Sequence, residues 1–456
     1  MEIQKYIINN YMGSLIFKKR ESKSKIDSPQ NMIKSEHTES LTIVASLVLE
    51  IINKALKENN NNNIPIPPPN IPSISEHNTN NNINSHNGKK PKKKDKGFFL
   101  YSTQKKKKEQ SSHPKPFIAK LNSDIISYNQ TITDILSQLL PLKEYVINEI
   151  KSQIAIGIGN LCTYDLEIYG SYQSGLDIES SDIDLLFKPH CKKKFTSSQL
   201  MLIISNYFIS LNQYEKVNPI YTATIPLIKL MIIPVNFIKD QKNEAIKKYF
   251  VFRNSELYQS YPYSKSELDV INVDISFPNH TKKNTPRIQL EYIKQSLNEN
   301  IEIKPIVKIL KRLLKITFLN NSYKGGLSSY SLFLLSIAFN QYLKTKKNNN
   351  TSNYLAHFFN DMIKFYSTFN FDKMIVNVTE EYPFIETDVP GEGVPTIIDP
   401  VTMLNAGKSS FNIVEVVNML GGVMKIINDL KASYEQGKEG SNKSNFINEI
   451  MKQIVK

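Results

Sequence analysis

Apolar residues recur at helical spacing from Ile118 to Ile150, where Leu121, Ile125, Ile132, Leu136 and Leu139 share a face and Pro141 punctuates the run. A short apolar stretch, Leu166 to Ile168, leads into the turn Gly170-Ser171, and the alternation Asp182-Ile183-Asp184-Leu185 then reads as a strand. A helix is predicted from Ser197 to Leu211, and an edge strand with an early proline from Ala223 to Leu230. Val270 to Phe277 alternates as a further strand with Asp274 at its centre. Ile301 to Phe318 is an amphipathic helix with Ile306, Leu310, Leu313 and Leu314 on its core side. Gly325-Gly326 opens another buried helix, in which Ser328 would be the N-cap, and Phe358 to Phe371 reads as an aromatic helix whose rings are core.

Residues 1–117 have no such pattern. They hold an asparagine run, a proline-rich segment and lysine blocks, which bury too little apolar area to offset the entropy of ordering, so disorder is expected there apart from a helix near 41–57. The net charge of +14 is concentrated in the same region: Lys89 to Lys108 contains ten lysines and one aspartate, which contribute +9 and leave +5 for the rest. An anionic partner is implied, and nucleic acid fits better than a membrane because no long apolar span exists; Leu41 to Ile52 is short and broken by Glu50. Met1 to Arg20 lacks a signal-peptide core. Cys162 and Cys191 lie far apart without metal-ligand spacing, so neither a disulfide framework nor a zinc site is expected, and the setting should be reducing.

The chemistry lies in Tyr169 to Phe187. On a strand, Asp182 and Asp184 project from one face, and carboxylates forced side by side repel unless a hard cation such as Mg²⁺ neutralises them. The Gly170-Ser171 turn offers donors to phosphate groups. An isolated Asp-x-Asp is commonly just a solvated strand end, but the complete pattern of Gly-Ser, Gly-Leu and Ser-Asp-Ile-Asp-Leu is far more specific. Lys304, Lys308, Lys311 and Lys315 recur at four, three and four along one helix face; the plain account is an exposed charged stripe.

The pattern Gly170-Ser171 to Leu185 resembles the signature of the polymerase beta-like nucleotidyltransferases, and Val273-Asp274-Ile275-Ser276-Phe277 resembles the third-carboxylate strand of the non-canonical poly(A) polymerases. Gly325 to Tyr330 and Asp399-Pro400 followed by Asn405-Ala406-Gly407 resemble further motifs of that family, the latter one residue short. The resemblance, from about 120 to 430, implies an α+β fold: a nucleotidyltransferase palm of mixed β-sheet and helices plus a mostly helical PAP-associated domain. By it, Asp182, Asp184 and Asp274 hold Mg²⁺ (or Mn²⁺), Gly170 and Ser171 cradle the triphosphate, and Lys311 and Lys315 neutralise it. Ser329 contacts phosphate, Tyr330 stacks on the base, Asn405 reads the nucleotide, and Asn284 matches a sugar-contacting asparagine but lacks the glycine that usually follows.

The boundaries expected are a low-complexity region over 1–117, helices over 118–155 that pack with the helical domain, a palm over 156–280 with an insertion at 231–269, a helical domain over 281–430 and a charged tail over 431–456. The resemblance implies a template-independent RNA nucleotidyltransferase, a polynucleotide adenylyltransferase that adds AMP from ATP to RNA 3′ ends. The other readings are an inactive RNA-binding scaffold and a sister uridylyltransferase or oligonucleotide synthase. A histidine, usual in uridylyl-specific relatives, is absent at Asn405. RNA-binding or helicase partners are expected by analogy, with the nucleus as the setting, or else the cytoplasm.

Overall fold

A single helix, α1, Phe117–Ile158, joins two hydrophobic cores. The computed structural model describes residues 117–191, 195–223, 225–240, 242–277, 285–346, 353–388, 393–437 and 444–455, all within one compact unit, Ser111–Lys456. The expected helix at 41–57, the lysine blocks and Asn284 lie outside the described residues. α1 runs through Pro141 instead of breaking there. Proline removes one backbone hydrogen bond, but buried side chains anchor the helix on both sides of it. Leu121, Ile125, Tyr128 and Ile132 pack in the helical core, whereas Leu139, Leu142, Val146, Ile150 and Ile154 pack in the palm core. The segment before the palm therefore belongs to both cores, not to the helical domain alone.

The palm is a five-stranded sheet in the order β1-β2-β5-β4-β3, built from β1, Cys162–Tyr169; β2, Ile183–Cys191; β3, Lys216–Ile220; β4, Leu227–Ile232; and β5, Ile271–Ser276. Between β1 and β2 lies a short helix, α2, Gly170–Ser174, and after β2 comes α3, Ser197–Ser210. The strand predicted at the edge, β4, is interior: it pairs antiparallel with β5 on one side and β3 on the other. Pro226 stands just before the ladder and costs it nothing, while Pro219 lies on the true edge, β3.

The cysteine expectation is also corrected. β1 and β2 are antiparallel with Cys162 opposite Cys191, and the two are joined by a disulfide. Their separation along the chain conceals a pairing that a folded-back ladder creates.

The insertion folds as short helices, α4, Pro234–Phe237; α5, Glu244–Arg253; and α6, Glu256–Gln259. Ile246, Tyr249 and Phe252 belong to the palm core, so the path from β4 to β5 is a packed detour that leaves the strand pairing intact.

The helical core gathers α7, Thr285–Glu299; α8, Lys304–Ile316; α9, Ser329–Thr345; α10, Tyr354–Tyr366; and α11, Ile413–Glu435, with a small sheet of three short strands. Phe358, Phe359, Tyr366 and Phe371 are core, as their pattern predicts. The expected charged tail instead contains α12, Phe446–Ile454, whose Phe446, Ile447, Ile450 and Met451 are buried, with Phe446 stacked on Phe117 at 5.1 Å. Apolar residues at helical spacing outweigh the charges between them.

Arg312 of α8 fastens the helical core to the palm. It is fully buried; Nη1 lies 3.0 Å from Glu179 Oε1 and 2.6 Å from Glu267 Oε2, and the guanidinium stacks 3.9 Å from the centre of the Tyr263 ring. Tyr261 donates to Glu179 Oε1 at 2.6 Å. Removing the cation strands buried carboxylate charge, so Arg312→Met should lower unfolding stability by about 3–5 kcal/mol. The double variant Arg312→Met/Glu179→Gln should recover part of that loss in urea denaturation.

Candidate active site

The strand register builds the site. Ile183 points into the core, so Asp182 and Asp184 on either side of it face the opposite way. β2 and β5 are parallel neighbours with Asp184 beside Asp274; Tyr169 is paired with Asp184 on the other flank, and Lys229 with Asp274. One rung of the sheet thus reads Tyr169, Asp184, Asp274, Lys229. Lys229 Nζ donates to Asp274 Oδ2 and forms an ion pair with it.

Burial, reinforced by Asp274 and Asp182, pushes the Asp184 carboxyl up to about 7. Burial raises Asp274 too, with Lys229 working against the rise. Gly170 is what lets this rung close. It adopts φ +69°, and a Cβ there would stand 2.1 Å from Asp184 Oδ2, so a side chain is excluded by both strain and space. The predicted Gly-Ser turn is the first turn of α2, which ends at Gly175 in the left-handed conformation.

The lysines of α8 are not an exposed stripe. Lys308 and Lys311 are buried, at 6% and 8% exposure. Lys311 Nζ donates to the Leu176 carbonyl at 3.0 Å and Lys315 Nζ to the Ser180 carbonyl. Burial brings Lys311 down to about 8, opposed by Asp177 and Asp184. A cavity of about 210 Å³ between the palm and the helical core is lined by Ser171, Asp182, Asp184, Lys311, Lys315 and Ser329. Sequence reasoning missed Asn320, which also lines it, and Lys229 as the partner of Asp274. The register that finds Lys229 is not visible in one strand's sequence.

Two sequence-predicted residues, Tyr330 and Asn405, are engaged elsewhere. Tyr330 donates its hydroxyl to Asp399 Oδ1 at 2.7 Å, and Gln289 and Thr402 also donate to Asp399, which hold that carboxylate below its usual range despite burial. Asn405 Oδ1 accepts from the backbone N–H of Ile397 at 3.0 Å and of Gly407 at 2.8 Å, so that oxygen fastens its own loop. Asn284 lies outside the described residues.

The donor set at the rung is all carboxylate oxygen, the kind that suits Mg²⁺ or Mn²⁺, and its mutual repulsion is what a divalent cation relieves. Among the described residues, however, no three such side chains are grouped closely enough to hold an ion, and Lys229 takes up the charge of Asp274.

A stability effect follows from Asp184. Its proton affinity is raised on folding from 3.8 to about 7, so its favourable contribution is complete below 3.8 and is lost as pH rises to about 7. In metal-free buffer at about pH 8, Asp184→Asn should melt above the native protein, by about 2–4 °C per kcal/mol relieved. That gain should shrink toward about pH 5, and thermal melts at the two pH values check it.

Residues 130–242 match the family model described as "Poly(A) RNA polymerase, mitochondrial-like, central palm domain". The chain is 24% identical over 177 residues to the poly(A) RNA polymerase cid14 of Schizosaccharomyces pombe, covering 39% of this chain and 20% of that protein. It is 24% identical over 270 residues to the inactive non-canonical poly(A) RNA polymerase protein Trf4-2 of Drosophila melanogaster, 56% of each. The chain therefore spans about a fifth and about half of these curated relatives. Among solved structures, the polymerase core of TRAMP, an RNA surveillance complex, superposes with a TM-score of 0.53 at 17% identity, over 75% of this chain and 96% of that one, a likeness of fold. Residues 130–242 thus match a poly(A) RNA polymerase palm, the chain is similar in sequence to non-canonical poly(A) RNA polymerases over part of their length, and it shares the fold of a nucleotidyltransferase polymerase core.

Proposed function

We propose that the protein is a template-independent RNA nucleotidyltransferase that adds AMP from ATP to RNA 3′ ends. The observation that carries this reading is the single cavity that brings Ser171, Asp182 and Asp184 of the palm together with Lys311, Lys315 and Ser329 of the helical core. A polyanion and an attacking hydroxyl need opposite surroundings, and this cleft offers cations on one wall and carboxylates on the other.

The RNA 3′ oxygen forms a bond to the α-phosphorus of ATP, the bond from that phosphorus to the bridging oxygen breaks, and pyrophosphate leaves. Asp274 accepts the hydroxyl proton on its carboxylate, which Lys229 holds on the same rung as Asp184. Lys311 and Lys315 offset the charge that develops on the leaving pyrophosphate, and Ser171 and Ser329 orient its oxygens. Asp182, Asp184 and Asp274 are the oxygen donors that would have to gather around Mg²⁺ or Mn²⁺, since among the described residues they are not grouped as an ion site, and the ion when bound would supply Lewis-acid polarisation of the phosphate and a more acidic hydroxyl. The absence of a histidine at Asn405 favours ATP over UTP. RNA-binding or helicase partners and a nuclear setting belong to this proposal through the family resemblance of the sequence motifs.

A second reading, an inactive scaffold, draws on the inactive Drosophila relative and on the Lys229–Asp274 pair. Primer extension with purified protein, Mg²⁺, a short oligoadenylate and each ribonucleotide separately decides between them. ATP alone should extend the primer. Asp182→Ala and Asp184→Ala should each lower the rate by about a thousandfold or more, the scale of several kcal/mol of transition-state stabilisation. Unchanged activity in Asp182→Ala sinks the proposal, and binding of labelled ATP without extension favours the scaffold.

A further inference from the structure

The lysine stripe of α8 has two halves with different surroundings. Lys311 and Lys315 line the catalytic cleft, while Lys304 and Lys308, nearer the start of the helix, do not. Lys308 is 6% exposed, yet among the described residues no hydrogen bond or ion pair reaches its Nζ. The same is true of half-buried Lys304, whose Nζ sits 2.8 Å from where a Cβ on Gly175 would stand. Lys143 arrives from α1, also buried, with Nζ 3.8 Å from Asp177 Oδ2 and 5.6 Å from the centre of the Tyr172 ring. Glu179, a second carboxylate that acts on Lys143 and Lys308, is already engaged by Arg312, and Asp182, which also acts on Lys143, belongs to the catalytic cleft. Outside the cleft and the Arg312 pair, Asp177 is therefore the one carboxylate that these ammonium groups have, and it acts on Lys311 as well, in a place where uncompensated charge is strongly unfavourable. Burial lowers the proton affinity of both Lys143 and Lys308, with Asp177 as the main opposing influence.

We infer that Lys143, Lys304 and Lys308, around the Gly175–Asp177 loop, form a second anion site for a small phosphate-type oxyanion, inorganic phosphate or pyrophosphate, apart from the catalytic cleft. The excess of positive charge suits a doubly charged oxyanion, and ammonium groups bind phosphate as point charges. Burial selects for size, since a nucleic-acid backbone does not reach side chains as enclosed as Lys143 and Lys308. The site stands independently of the polymerase reading.

Thermal melting of the full chain tests it, without metal or nucleotide and at constant ionic strength, against inorganic phosphate and pyrophosphate separately. A saturating oxyanion should raise the native melting temperature by about 3 °C or more. Lys308→Met, which keeps the volume and removes an unpaired buried charge, should melt no lower than native without the anion and show no rise with it. Lys304→Met should need at least tenfold more anion, and it carries the test if Lys308→Met does not fold. Lys315→Met, in the cleft, should keep the native rise. The anion with the lower half-saturation identifies the oxyanion that the site prefers. No rise in the native protein with either anion overturns the inference, as does a rise lost in Lys315→Met, which would put the anion in the cleft.

Discussion

Two carboxylates held side by side by strand register impose the constraint that the surrounding residues answer. Asp184 and Asp274 cannot separate, because each is fixed by its own ladder within the sheet. Burial strengthens their repulsion, as the raised proton affinity of both records. Gly170 gives up a side chain so that Asp184 can occupy its place, Lys229 supplies a counter-charge to Asp274 from the adjacent strand, and Lys311 contributes positive potential from the other side of the cleft. Such an arrangement is costly for stability alone, and strained or charged groups of this kind are characteristic of functional sites.

The cleft exists only because palm and helical core are held together. α1 contributes its first part to the helical core and the rest to the palm core, and Arg312, itself fully buried, closes the joint with buried Glu179, partly exposed Glu267 and the face of Tyr263. The interior location matters. Ion pairs at a surface would allow the two walls to drift, whereas a buried guanidinium has few alternative partners. The insertion after β4 participates, since Glu267, Tyr261 and Tyr263 all come from its far end.

Electrostatics along α8 divides by neighbour. Four lysines with the same spacing serve different surroundings because the Gly175–Ser180 segment passes across the helix: Lys311 and Lys315 meet carbonyl oxygens and the cleft, Lys304 and Lys308 meet no partner among the described residues, and Arg312 takes the acidic pair. Helical periodicity places these cations on one side, but the burial of each depends on what packs against it.

By itself the sequence determined the local elements and their chemistry: the alternation around Ile183, the strand that carries Asp274, the glycine before Ser171, the periodic helices of the second half. These rest on short-range rules of side-chain direction and backbone freedom, which neighbouring residues suffice to express. It did not determine that β4 is interior, that α1 passes through Pro141, that Cys162 meets Cys191, or that Phe446 to Met451 fold back onto Phe117. Only tertiary structure decided those, along with the pairing of Lys229 with Asp274 and of Arg312 with Glu179 and Glu267. Each depends on residues far apart in the chain whose meeting is set by register and packing, and no local pattern encodes a partner that arrives from another strand.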